Sequence, residues 1–358
     1  MAYLDNTLLN DIQDNKVGDA RRPDRLGILQ AVKAGEDRMD EYISNSVREQ
    51  LRTISSQRKA KIPVIKDGTT TVTTSPGFSI PANLMETEFF YFQPFSVFSG
   101  LRYYPSMHAN NVVDGESYRR RQVLRVLEDM GKKKEEIIAT QLELLKTRLL
   151  NHTTQVSQGD GTFVFQAATD TLQINKAAQK ETMFNNTQTL MRANKQEGEY
   201  RIISNPAGLA VQLSEMAKYS AGNEKNLEAL GFFGMDHIYE SDSITTTSNI
   251  FDGWLIRDGA IGTILNTPWD FVNETEVGEK KWSVTDMEMP YVQSQLNVFS
   301  NREASDTTAM VTPGNDSNGI MSHFEEMALW DHFYVVYRYN QDRDVYTSDI
   351  VKLEGLPS

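Results

Sequence analysis

The sequence predicts an α+β fold, and three stretches carry that expectation. Residues 116 to 151, ESYRRRQVLRVLEDMGKKKEEIIATQLELLKTRLLN, place Val123, Leu127, Met130, Ile138, Leu142, Leu145 and Leu149 at three- and four-residue steps without a proline. That is the pattern of one long amphipathic helix. Residues 61 to 81, KIPVIKDGTTTVTTSPGFSIP, are rich in β-branched side chains and turn at Asp67-Gly68, so they read as an extended hairpin. From 178 to about 300 strand and helix patterns alternate, and the chain then closes on two further strands.

The bulk composition bounds what such a fold can do. With 358 residues, 39% of them hydrophobic, the chain can bury a large core in two or three domains. It has no cysteine, which excludes a disulfide scaffold, a thiolate zinc site and a cysteine nucleophile. No apolar run reaches the length of a membrane span, and the N-terminus MAYLDNTLLNDIQDNK is no signal peptide, which points to a cytoplasm-like compartment. The net charge of −13 is unevenly spread. Arg119 to Lys134 holds seven basic and two acidic residues, whereas Gly222 to Met310 holds five basic and fifteen acidic ones. Net acidity argues against a dedicated nucleic-acid reader but leaves room for one basic surface on the long helix.

Residues 1 to 35 are polar and read as an arm that needs another surface to lie on. The helix candidate that follows carries Met39, Tyr42, Ile43, Val47 and Leu51 at helical spacing. The hairpin of 61 to 81 has a tip of threonine, lysine and glycine, so it has little to bury and must rest on a neighbour. The aromatic run EFFYFQPFSVFSGLRYY, 88 to 104, has two readings: a buried strand or a subunit interface. The long helix would span about 50 Å, with Lys134 as the one break in its stripe and Gly131 as the point where a bend is expected. GTFVFQAATDTLQINKA is a short hairpin turning at Thr169-Asp170. Next, Tyr200 to Ile203 reads as a strand, with Asn205 as the N-cap and Pro206 as the first residue of a helix reaching about Ser220. GFFGMDHIYESDSIT suggests a turn and a strand, and IFDGWLIRDGAIGTIL a strand, an aspartate turn and a short helix.

Catalytic motifs do not assemble. Gly259 and Gly262 are three apart with no lysine after them, so neither a phosphate loop nor a dinucleotide turn is present, and Arg257 pairs locally. His323 and His332 are nine apart, not the four that a helical zinc site needs. There is no GxSxG elbow, and no metal or cofactor is expected. A metal- or phosphate-dependent hydrolase is left only as a remote alternative.

In order and length the elements resemble the major capsid proteins of tailed bacteriophages, the Hong Kong 97-type fold shared with encapsulins. The resemblance makes IPVIKDGTTTVTTSPGFSIP the extended E-loop and 116 to 151 the spine helix. It makes GTFVFQAATDTLQI with the C-terminal strands the peripheral (P) domain sheet, and RIISNPAGLAVQLSEM through FDGWLIRDGAIGTIL the axial (A) domain. The implied division is an N-terminal arm over 1–57, the E-loop and following strands over 58–115, and the P domain with spine helix and hairpin over 116–177. The A domain then takes 178–310, and 311–358 returns to the P domain. The implied function is a structural protein, not an enzyme: hexamers and pentamers forming an icosahedral shell around double-stranded DNA, assembled in the host cytoplasm and found in the virion. Portal is a further implied partner, and because only about 55 residues precede the hairpin, assembly is expected to use a separate scaffolding protein or none. A cellular encapsulin shell is the alternative. Lys61, Lys66, Asp67 and Gly68 would make the intersubunit E-loop. Arg119, Arg120, Arg121, Arg125, Lys132, Lys133 and Lys134 have two readings: a solvated face paired with Glu128, Asp129 and Glu135, or a surface that neutralises packaged DNA without sequence preference. Some relatives join an E-loop lysine to a neighbour's asparagine; Lys66 beside Asp67 at a polar turn is expected to stay ion-paired and solvated, leaving the shell non-covalent.

Overall fold

The computed structural model describes residues 26–41, 43–53, 60–65, 87–103, 115–146, 163–166, 168–174, 199–208, 237–245, 251–266, 275–277, 280–288, 295–301, 305–306, 322–323, 325–338 and 349–356. Helix α1 is Gly27–Gly35, a 3-10 turn covers Glu36–Glu41, and α2 is Asn45–Thr53. Strands β1 (Ala60–Ile65), β2 (Thr87–Phe92) and β3 (Pro94–Tyr103) precede the long helix α3, Gly115–Leu145. After it come β4 (Phe163–Gln166), β5 (Thr171–Ile174), β6 (Tyr200–Ser204) and β7 (His237–Glu240). They are followed by β8 (Phe251–Arg257), β9 (Ile261–Leu265), β10 (Thr275–Val277), β11 (Lys280–Glu288) and β12 (Gln295–Asn301). Two short strands, β13 (Ser305–Asp306) and β14 (Ser322–His323), precede β15 (Glu325–Tyr337) and β16 (Ile350–Gly355).

Two six-stranded sheets organise these elements. The first runs β10-β11-β12-β15-β3, with β9 also paired to β15. Its axis is the 13-residue β15, which lies antiparallel to β3 over 325–334; β12 and then β9 share its other side, at 326–330 and 333–337. The second sheet runs β4-β5-β16-β8-β6-β7 and is mixed, because β16 lies parallel to β5 and β6 parallel to β7. It draws strands from all three of the blocks expected at 116–177, 178–310 and 311–358.

Period two along β15 explains why residues 331–336 are buried without a break. Leu329, Phe333 and Val335 join the core that holds Val123, Leu127, Met130, Ile138 and Leu142 of α3 and Ile28, Leu29 and Val32 of α1. Tyr334 and Val336, on the other face, join Met39, Ile43, Leu51, Phe92 and Ile264. Ile203, Trp254, Ile256 and Ile350 of the second sheet enter the α3 core as well, so one helix ties both sheets together. At 1.5 Å per residue its 31 residues span about 46 Å.

Several sequence expectations are met. The long helix is present, the hairpin closes at Thr169-Asp170 with Asp170 at φ 49°, and strands form at Tyr200, at His237, over β8 and in both C-terminal segments. Others change. The end of the segment expected to lie on another surface is α1, buried in this chain's own core. β1 pairs with β2, in register from Ala60↔Phe92 to Ile65↔Thr87; the turn expected at Asp67-Gly68 lies outside the described residues. The short helix expected after Asp258 is instead β9; Gly259 turns the chain at φ 78°, and a Cβ on Gly262 would run into Met39 Sδ. A helix does begin at Pro206 as expected, its further course lying outside the described residues, and Asn205 accepts a hydrogen bond from the Asp252 amide at 3.0 Å, fastening β6 to β8. The two closing strands belong to different sheets.

Candidate subunit interface

The aromatic run divides between its two readings. Residues 87–103 form one extended course through β2 and β3, so side chains alternate between the two faces. Phe95 and Val97 point into the α3 core, Phe95 stacking on Phe333 at 6.0 Å between ring centroids. Phe89 and Tyr91 have the same parity but no cover, and are 54% and 61% exposed. Phe92 is buried on the opposite face beside Tyr337, and Phe98, of the same parity as Phe92, is 66% exposed. Leu144, near the end of α3, is a fourth large apolar side chain left in solvent.

Lys61 stands across β1 from Tyr91, and its ammonium lies 4.5 Å above the centre of the Phe89 ring. An exposed cation–π contact of this kind contributes about 0.5–1 kcal/mol, enough to orient Lys61 but not to cover the ring. Lys66, Asp67 and Gly68 lie outside the described residues.

The basic series on α3 separates in the same way. Arg119 and Arg120 fall within α3, and their side chains lie outside what is described. Arg121 and Arg125 are exposed, and with half-buried Lys132 they share one helical face. Lys133 is exposed and bonded to Glu136 at 2.6 Å. Lys134 does not belong to this surface. It is 2% exposed, lies 2.8 Å from Asp331 Oδ2 on β15, and sits 4.4 Å above the Phe333 ring. The break in the apolar stripe is therefore a buried ion pair between α3 and the centre of the first sheet. Burial pushes the Asp331 carboxyl up from its ordinary value, and the Lys134 ammonium opposes that rise.

Glu135, read from sequence as a surface partner for the lysines, is also fully buried. Its Oε1 accepts hydrogen bonds from Ser241 Oγ at 2.5 Å and from the Ile28 amide at 3.1 Å. Desolvation pushes its carboxyl up to about 7, more than the two hydrogen bonds pull it down. The signal for Lys134 was in the sequence, as the one charged residue on an apolar stripe. Glu135 gave none, because KKKEE looks like any solvated run of charge.

The glycine-bearing stretch 253–264 is framework. Asp258 receives both Nε and Nη2 of Arg201, at 2.5 and 2.8 Å, and Arg201 also donates to the Ala34 carbonyl at 3.3 Å, fixing the end of α1. Arg257 reaches Asp349 at 3.4 Å rather than its neighbour Asp258. His332 Nδ1 lies 2.6 Å from Ser96 Oγ, and burial lowers the pKa of the ring. Among the described residues no three metal-ligating side chains come together, and no helix is long and apolar enough to cross a membrane.

No protein-family model matches the chain, and no curated protein does. Its fold is similar to chains in solved phage structures. The capsid structure of the cyanophage P-SCSP1u is 13% identical and aligns over 86% of this chain and 86% of its own, with a TM-score of 0.44. A chain of Mycobacterium phage Cain is 11% identical over 96% of this chain and 94% of its own, at a TM-score of 0.45. The head structure of Helicobacter pylori bacteriophage KHP40 is 11% identical over 86% of each chain, at a TM-score of 0.39.

Proposed function

We propose that this chain is a shell-forming subunit, a major capsid protein of the Hong Kong 97 type, whose copies enclose double-stranded DNA in a phage virion. The observation that carries the reading is the uncovered aromatic course of 87–103. Phe89, Tyr91 and Phe98 are each more than half exposed along the extended course of β2 and β3, which leaves the core at both faces. A subunit that stays alone has no physical reason to keep three large aromatics in water, whereas neighbouring copies laid against the two faces bury them. The element order supports the same reading: an N-terminal segment, a long-range strand pair, a spine helix, a small hairpin and closing strands. Negative-stain microscopy of the purified chain tests it. Uniform angular shells are expected, filled with DNA when taken from infected cells. Particles no larger than a few subunits at every concentration, or shells that hold protein cargo, would overturn the capsid reading.

On this reading Arg119, Arg120, Arg121, Arg125, Lys132 and Lys133 line the shell interior and neutralise phosphates; Lys134 takes no part. Changing Arg121, Arg125, Lys132 and Lys133 to glutamine should lower the salt dependence of DNA retention by about 0.9 in log–log slope for each phosphate no longer neutralised. Variant shells that assemble and hold full-length genomes with an unchanged slope would remove these residues from the interior.

A further inference from the structure

Helix α1 lacks the cap that its first turn needs. Leu26 occupies the N-cap position and no side chain of that segment bonds the first amides. The acceptor arrives from 107 residues away: Oε1 of Glu135, in the middle of α3, takes the Ile28 amide at 3.1 Å and the Ser241 hydroxyl at 2.5 Å. The backbones converge on the same point. Leu26 forms a β-bridge to Ser241, a Cβ on Gly27 would collide with the Glu240 carbonyl oxygen, and a Cβ on Gly131 would stand 2.9 Å from a Leu26 methyl carbon. Three elements, α1, α3 and the end of β7, therefore meet on one carboxyl group.

That carboxyl is satisfied on one side only. Among the described residues nothing donates to Oε2, which is buried. Ionised, the group would leave half a charge on an oxygen shut away from solvent and donors; a proton on Oε2 removes that cost while Oε1 keeps both of its donors. The surroundings favour the proton too. Asp242, in the turn after β7, adds a like charge, and Glu240 stands on the same strand end. From α1 comes a backbone amide with apolar Ile28 and Leu29; Lys33, further along, is bonded to Glu36. On α3 itself Lys134 is directed to Asp331.

We propose that Glu135 is a proton-operated latch that sets how often α1 detaches from α3 and β7 while both sheets stay folded. The sign follows from the closed state holding its proton more tightly than the open one. The closed carboxyl titrates at about 7, the open one near the ordinary 4.5, so the latch is strongest in acid and weakens as pH rises through about 7.

Hydrogen exchange on the full-length protein, corrected for intrinsic rates, reads this opening directly. Between pH 6 and pH 8.5 the peptide covering 26–35 should lose about tenfold in protection, with a midpoint near neutrality, while β8 and β16 change little. The Glu135→Gln variant, which keeps an acceptor for Ile28 but cannot ionise, should show no such step. A wild-type peptide with flat protection overturns the proposal, as does a Gln variant with the same step, or an equal loss across β8 and β16. Should the Gln variant not fold, the wild-type profile decides alone: a step confined to 26–35 supports the latch, and its absence removes it.

Discussion

Replacing Lys134 by alanine is expected to lower folding stability by about 3–5 kcal/mol, a large share of the roughly 5–15 kcal/mol that keeps an ordinary domain folded. The reason is the carboxylate left behind. Asp331 is fully buried, and Lys134 at 2.8 Å is the cation that opposes its desolvation. Removing one member strands the other in an apolar site against Phe333. Removing both is different, because the desolvation cost disappears with the charges. The double variant Lys134→Met with Asp331→Leu should therefore regain most of the loss and can equal the wild type. Chemical denaturation followed by circular dichroism measures all three proteins. A single variant within about 1 kcal/mol of the wild type would show that the pair carries no such weight.

The second large effect concerns assembly. Phe89→Ser combined with Tyr91→Ser should raise the concentration at which copies associate by at least about 30-fold, the consequence of losing about 2 kcal/mol at a single aromatic anchor. Folding should hardly change, since both rings are more than half exposed in the isolated subunit and substitutions at such positions stay within about 0.5 kcal/mol. Sedimentation velocity across a concentration series separates the two effects. Association at the wild-type concentration would mean that these rings are not at a contact.

Much of this architecture is written in local signals. The stripe of α3, the turn at Thr169-Asp170 and the alternation of β4 and β5 each depend on a few neighbouring residues, and each appears where the sequence puts it. What local signals do not carry is pairing. β1 is legible as a strand, but its partner lies more than twenty residues on. IGTIL after Gly259 suits a helix or a strand equally, and the choice is made by β15, some seventy residues later. The candidate surface follows the same division. The aromatic course is visible in the sequence, but which rings point outward depends on where α3 and α2 end, a fact of tertiary packing. Glu135 is hidden altogether, since a carboxyl beside lysines carries no mark of burial until α1 is placed on it.

The order in which the strands are made has a consequence for the timing of assembly. β15 is the axis of the first sheet, and β16 stands between β5 and β8 in the second. Both follow all of their described partners in the chain. During synthesis, then, the earlier strands emerge with their central places empty, and neither sheet can close until β15 and β16 have left the ribosome. β3, which carries the outward Phe98, takes its place only against β15, so a shorter nascent chain has no finished docking face to offer. On the proposed reading, subunits become competent to associate only once β15 and β16 are in place, which keeps half-made chains from being built into a growing particle.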